Sequence, residues 1–451
     1  MSDRLLVKNG QVALPGEEAL RFVDIAVEDG KIAGIGRGLS ADGEVIDAGG
    51  LWVLPGGIDA HVHFDDPGYT DREDFLAGSS AAASGGITTV IDMPCTSVPP
   101  VTNVSNMREK LAVIEAKSVV DFGLYAGVCE QSFTGDWEAD MVELADYVLG
   151  FKAYLTSGMQ SFQRLDHYRL QQVLKVATRL GLPVLLHAED FSYVDTATRI
   201  AREHGNRPRD YYESRPEIAE TLAVSAALEL ADSVGGDLHI VHLATGAAAA
   251  LLRGRRASGE TAAHYLQFTE EDFERIGSAL KVAPAVKAPG NREVLWDLLA
   301  AGVIDFIASD HAPSPEAEKH TGSIWTDYGG IPGVGTSLPY MISEGFMTGR
   351  LSLSRLLEVT SSAAAHRYGL FDKKGAITIG KDADLVLFDP TGAWTVDGHK
   401  FLSKGKVTPF EGMRLKGKIA ATLLRGRKIY DSDTGICVAG GYGKWLPRFH
   451  A

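Results

Sequence analysis

Cysteine is scarce in this sequence: Cys95, Cys129 and Cys437 are three scattered thiols in 451 residues, with no CxxC pair among them. That excludes a disulfide framework and a thiolate zinc site, so any metal must be held by histidine, carboxylate or something less usual. Long apolar runs are missing too. No stretch approaches the roughly 18–20 apolar residues of a membrane span. The opening MSDRLLVKNGQVALPG has no apolar core long enough for a secretory signal, and a cytoplasmic location is expected. Basic residues are outnumbered, 44 against 59 acidic, for a formal charge of −15. A surface of that sign repels nucleic acid and anionic membrane, so neither is an expected partner. What is present is ordinary globular composition, 45% apolar and 23% charged, with ample material for a core.

The length exceeds the roughly 100–200 residues of one ordinary domain but fits an α/β barrel of about 250 with something smaller attached. Residues 1–55 read as short strands with Gly, Asp and Pro turns: LLVKNGQVAL, DIAVEDGKIAGIG, EVIDAGG and LWVLPG. From residue 56 to 371, strand-length apolar runs alternate with helix-period segments. The runs are GIDAHVHF, ITTVIDMP, VVDFGLYAG, VLGFKAYL, LPVLLHAE, LHIVHLAT, the weaker TAAHYLQF, and VIDFIASDH. Between them lie segments such as DHYRLQQVLKVATRLG that close at glycine, as helix ends commonly do. Eight β-then-α units predict a closed (β/α)₈ TIM barrel. Residues 372–451 return to strands, in GAITIGKDADLVLFD and KIAATLLRGRKIYD. Either the two ends pair into one small β-sandwich, or they are unrelated extensions; each alone is small for an independent core, which favours pairing.

His61 and His63 close the first run as H-x-H, and a period of two places both side chains on one face of a strand. Paired surface histidines give the same pattern, but the C-terminal strand ends of such barrels are where active sites gather. His187 ends the fifth run, His242 the sixth and Asp310 the eighth. Singly, each reads equally well as a satisfied core histidine or a capping aspartate. Five such groups converging on one mouth point to a metal centre. Lys152 ends the fourth run. Either it snorkels to solvent, or it is desolvated to a neutral amine that reacts with carbon dioxide, giving a carbamate able to bridge two cations.

HVH, the lysine of FKAYL, HAED, HIVHL and SDHAP, in this order, resemble the amidohydrolase superfamily, within it the cyclic amidases that include allantoinase, dihydroorotase, hydantoinase and dihydropyrimidinase. The resemblance covers nearly the whole chain. It implies that His61, His63 and Asp310 hold one divalent metal, that His187 and His242 hold another, and that Lys152 is the carboxylated bridge. Zinc is the first expectation, with manganese, cobalt or iron admitted by the oxygen ligands. The implied reaction is metal-assisted hydrolysis of a small cyclic amide, with Asp310 moving the proton and a ring-opened ureido or carbamoyl acid as product. A homodimer or homotetramer is implied as well.

The substrate is read from departures. Dihydroorotases are expected to show an Arg, an Asn and a His where this chain has Asp65, Cys95 and Ser314, and those changes remove partners for a substrate carboxylate. Dihydropyrimidinases carry a Tyr where this chain has Ser157, with Tyr154 nearer and on the Lys152 side by strand alternation. HVHFDDPGYTDREDF, GGITTVIDMP and KVAPAVKAPGNREVLW look most like the allantoinase pattern, although MPCT and AAHYL stand where MPLN and CPHYL are frequent. YGGIPGVGTSLP, residues 328–339 and including Gly333, forms either a ring-binding Gly-rich loop or a mobile surface loop. Asp65, Cys95, Tyr154, Ser157 and Gly333 are therefore the candidate substrate contacts, and allantoin or a hydantoin the expected substrate. Dihydroorotase is the alternative. A non-enzymatic dihydropyrimidinase-like scaffold is disfavoured, because all six ligand positions hold competent residues.

Overall fold

A computed structural model describes residues 4–40 and 43–448. Its centre is a closed ring of parallel strands: Gly57–Val62, Ile87–Asp92, Asp121–Leu124 continued by Ala126–Gly127, Phe151–Tyr154, Val184–His187, Leu238–Ile240, Ala257–Thr261 and Phe306–Ile307. A parallel bridge between Val62 and His311 joins first strand to last. The first two strands are buried at every residue, as strands covered on both faces must be. Helices pack outside. His167–Leu180 shows the local logic: Asp166 caps its N-terminus by accepting from Arg169 N at 2.8 Å, and Gly181, at φ +64°, takes the left-handed turn at its end.

The seventh strand corrects the sequence reading. TAAHYLQF is mostly helical over Ala263–Gln267, and the strand lies just before it at Ala257–Thr261. That strand spells ASGET, and its glutamate is turned into the barrel, so no apolar run marks it.

Both ends of the chain join one nine-stranded sheet. The strand Trp52–Pro55 pairs in parallel with Arg4–Val12 and antiparallel with Leu385–Thr395, then runs directly into the first barrel strand. The sheet curls until its far parts meet: a Cβ on Gly426 would sit 2.8 Å from Val27, and one on Gly30 3.1 Å from Arg425. Val12, Ile25, Val53, Leu385 and Leu423 fill the interior, all buried. Asp121, at the base of the third barrel strand, is the joint between the two units. It accepts from Lys374 Nζ at 2.6 Å, from Lys444 N at 2.8 Å and from the Arg425 guanidinium.

The C-terminal tail leaves the sheet and packs under the barrel. Lys444 O accepts from Phe122 N at 3.0 Å, Leu446 N donates to Phe122 O at 2.8 Å, and Leu446 joins Tyr125, Phe306 and Tyr368 in the apolar floor. Leu446→Ala should therefore destabilise the protein by about 2–4 kcal/mol, the cost of a cavity in a packed core. Val142→Ala, on an exposed helix face, should stay within about 0.5 kcal/mol. Thermal unfolding of both variants, side by side, checks the difference.

Candidate metal centre and cavity

The barrel mouth brings together all six residues singled out for metal binding. His61 and His63 come from the first strand and the residue after it, Lys152 from the fourth, His187 from the end of the fifth, and His242 and Asp310 from just beyond the sixth and eighth. Asp310 Oδ1 lies 3.2 Å from His61 Nε2 and 3.4 Å from His63 Nε2. The ligand atoms of these three residues fall within 4.8 Å of one another, as a single cation requires. On the other side His187 Nδ1 and His242 Nε2 are 2.9 Å apart, and the His61 and His242 ring centres are 5.4 Å apart.

Electrostatics suit a cation. His61, His187, Lys152 and His242 are all buried, and burial lowers the pKa of each, Lys152 to about 8. The three histidines are left with neutral lone pairs, and the Lys152 amine is brought within reach of its neutral form. Burial would raise the Asp310 carboxyl, yet His61, His63 and His242 hold it well below the usual carboxylate range. His63 is the exception: burial pulls it down, but Cys95 and Asp310 carry it up to about 10. Among the described residues, His61 Nε2, His242 Nδ1 and Lys152 Nζ complete no hydrogen bond although all three are buried. Orphaned polar atoms inside a protein are rare, and three together in one site fit absent ligand bonds. Asp65 (φ +29°), His242 (+40°) and Asp310 (+49°) also sit in the left-handed region that non-glycine residues seldom occupy, strain of the kind stored at functional sites.

Supporting residues fix these groups. Glu260 Oε1 lies 2.5 Å from His61 Nδ1 and its other oxygen 3.3 Å from His239 Nε2, which orients the His61 ring. Glu189 does the same for His187, 2.9 Å from Nε2. Burial would raise this carboxyl, but its pairing with Arg215 and His187 keeps it at about 2. Behind Asp310, His311 Nε2 is 3.1 Å from Glu73 Oε2, which also accepts from Ser403 Oγ at 2.5 Å.

A cavity of about 650 Å³ opens over the centre, lined by His63, His187, His242 and Asp310. Of the candidate substrate contacts, Tyr154 and Ser157 line it. The Ser157 hydroxyl is already engaged, donating to Phe162 O at 2.7 Å. Cys95 lies behind the wall, its sulfur 3.1 Å from Tyr154 Oη and 3.7 Å from His63 Nδ1. Asp65 is fully buried beside Thr96 and Arg72. Gly333 is not in the lining. The Gly-rich segment reaches the cavity through Tyr328, Gly329 and Gly330, while Gly333 starts the helix Val334–Tyr340 with its Cα packed close to Ser309 O. Sequence reasoning missed Glu260, Arg72, Thr96 and Arg215. Arg72 and Thr96 lay within HVHFDDPGYTDREDF and MPCT, and nothing in their spacing distinguished them from surface residues.

Comparison with known proteins agrees with this geometry. The amidohydrolase family model matches residues 52–429. The chain is 39% identical to an allantoinase of Rubrobacter xylanophilus, covering 98% of this chain and 97% of that one. It is 38% identical to an allantoinase of Solibacter usitatus, over 97% and 95%. Among solved structures, an L-hydantoinase (dihydropyrimidinase) from Arthrobacter aurescens superposes with a TM-score of 0.93 at 32% identity, covering 99% of this chain and all of the other. Members of the matched family generally bind divalent metals, and His61, His63 and Asp310 form a site able to hold one.

If Glu260 orients His61, Glu260→Gln should weaken divalent-metal affinity about 10- to 100-fold. Competition of the protein against a chelator of known affinity measures this directly, and unchanged affinity would refute the orienting role.

Proposed function

The chain belongs to the amidohydrolase family and hydrolyses a ring C–N bond of a cyclic amide; we propose that the ring is that of allantoin, opened at a centre of two divalent cations. In this reading His61, His63 and Asp310 hold one cation, His187 and His242 the other, and Lys152 bridges them as a carbamate formed from its neutral amine and carbon dioxide. Zinc suits the imidazole-rich set, with manganese, cobalt or iron admitted by the oxygen ligands. Residues 56–371 form the catalytic unit, with 1–55 and 372–451 as its sheet partner.

One observation carries the reading: three buried, partnerless nitrogens, on His61, His242 and Lys152, around one ionised carboxylate at a barrel mouth. Bound there, divalent cations would acidify water and polarise the ring carbonyl. The chain does the rest. Asp310 takes the proton of the attacking water and delivers it to the ring nitrogen as the bond opens. Tyr154, against His187 with ring centres 5.1 Å apart, closes the side of the cavity and excludes water. Asp65, Cys95 and Ser314 stand where a dihydroorotase is expected to offer partners for a substrate carboxylate, which sets the reading against dihydroorotate.

Two measurements test this. Metal-loaded protein offered allantoin, hydantoin and dihydroorotate should turn over allantoin best, and hydrolysis of dihydroorotate at an equal rate would defeat the substrate reading. Lys152→Ala should lose activity and at least one metal equivalent, with partial recovery of both in the presence of acetate or propionate. A variant that keeps two metals and full turnover would remove the carbamate.

A further inference from the structure

Glu260 and Glu189 hold the His61 and His187 rings from behind, but among the described residues no carboxylate reaches His63 Nδ1. The group that does is a thiol. Cys95 Sγ lies 3.7 Å from His63 Nδ1 and 3.1 Å from Tyr154 Oη, and the residue is fully buried, behind the cavity wall rather than in it. The opposite nitrogen of the ring, His63 Nε2, faces Asp310 Oδ1 at 3.4 Å. A ring whose Nε2 lone pair serves a cation carries its proton on Nδ1, so at His63 the sulfur accepts. The bond to Tyr154 is its second, and either atom of that pair can donate.

These three residues come from different strands. His63 follows the first, Cys95 lies three residues past the second, and Tyr154 ends the fourth, two residues after Lys152. Strand alternation turns Tyr154 to the same face as Lys152, whose Nζ is 4.6 Å from the tyrosine ring centre. The same ring stacks on His187 with centres 5.1 Å apart and planes 25° apart. Tyr154 thus packs on Lys152 and His187 while its hydroxyl is tied to the sulfur behind His63. Cys95 belongs to an apolar cluster with Ile91, Met93, Leu149 and Phe162. Packing alone asks nothing polar of this position, and the two bonds of the sulfur are what set it apart.

We propose that Cys95 is a positioning residue of the metal centre: it holds the His63 ring as Glu260 and Glu189 hold theirs, and through the Tyr154 hydroxyl it braces that ring against the wall that packs on Lys152 and His187. The first half requires only the cation site of His61, His63 and Asp310. The second rests on the two-cation reading. A thiol accepts a hydrogen bond more weakly than a carboxylate does, which leaves His63 the least firmly oriented of the three rings and gives the brace from Tyr154 its use.

Competition of the zinc-loaded protein against a chelator of known affinity tests both halves, run on wild type, Cys95→Ala, Cys95→Ser, Tyr154→Phe and the Cys95→Ala/Tyr154→Phe double variant. Cys95→Ala should weaken zinc binding about 10-fold, the low end for loss of a ligand's supporting partner. Cys95→Ser keeps a donor and an acceptor at the position and should recover part of that loss. Tyr154→Phe should weaken binding about 2- to 10-fold, as loss of one neutral hydrogen bond does. The double variant should bind zinc no more weakly than Cys95→Ala alone, because members of one hydrogen-bonded chain do not act independently. Cobalt-loaded protein gives a second readout: visible absorption follows ligand geometry, so the spectrum should shift in Cys95→Ala and move back toward wild type in Cys95→Ser. Unchanged affinity and spectrum in Cys95→Ala, or a serine variant no better than the alanine one, overturns the role of the sulfur at His63. Losses that multiply in the double variant overturn the link through Tyr154. Tyr154→Phe, which removes only the hydroxyl, decides that link even where Cys95→Ala does not fold, since unchanged affinity overturns it. A wild type that binds a single zinc defeats the two-cation reading and the link with it, while the alanine and serine variants still decide the contact at His63.

Discussion

The mouth of this barrel is governed by one constraint: polar groups that would ordinarily face water are packed together where little water reaches. Four histidines and a lysine there are between 0% and 7% exposed. Burial discharges His61, His187 and His242, while the histidines beside Asp310 hold its carboxyl ionised against the same burial. Left to itself such a set is costly, because burying polar atoms without partners is unfavourable. A divalent cation removes that cost, and the surrounding carboxylates are arranged on the same principle. Glu260 and Glu189 sit behind His61 and His187, so each ring has one nitrogen held by a carboxylate and the other turned to the centre.

This explains what was legible in the sequence and what was not. His61, His187, His242 and Asp310 could be found because each ends an apolar run, and a polar residue at the edge of an apolar strand is conspicuous. Glu260 could not. It occupies the seventh strand, ASGET, in which Glu260 turns to the polar interior while Gly259 packs against Leu243 and Leu252, so the strand has no apolar signature and the helix that follows carries the stronger pattern. Gly333 stood out by composition, yet its lack of a side chain serves close packing against Ser309 rather than the cavity.

The terminal sheet is more than an appendage. Its strand Trp52–Pro55 leads straight into the strand that carries His61, and Asp121 ties Lys374 and Arg425 to the barrel's base. An excursion of the same unit crosses to the mouth. Ser403 and the Lys404 backbone bond to Glu73, which holds His311 next to Asp310. Gly405 lies so close to Pro313 and Ser314 that a Cβ there would approach within 2.4 Å. Displacement of that segment would be felt at Asp310 through two contacts.

The same excursion reaches the loop that carries Arg72. Lys404 Nζ donates to Thr70 O at 2.6 Å and pairs with Asp74 at 2.7 Å, on either side of Arg72. The residues of the barrel mouth are set by strand register, which shifts only if the barrel does, whereas Arg72 sits on a loop that needs external bracing to hold a geometry. Tyr69, Tyr328 and Glu318 brace Arg72 from within the barrel loops, and the terminal unit braces the loop's backbone from outside. A domain that contributes no atom to the cavity thereby steadies both Asp310 and the loop that carries Arg72.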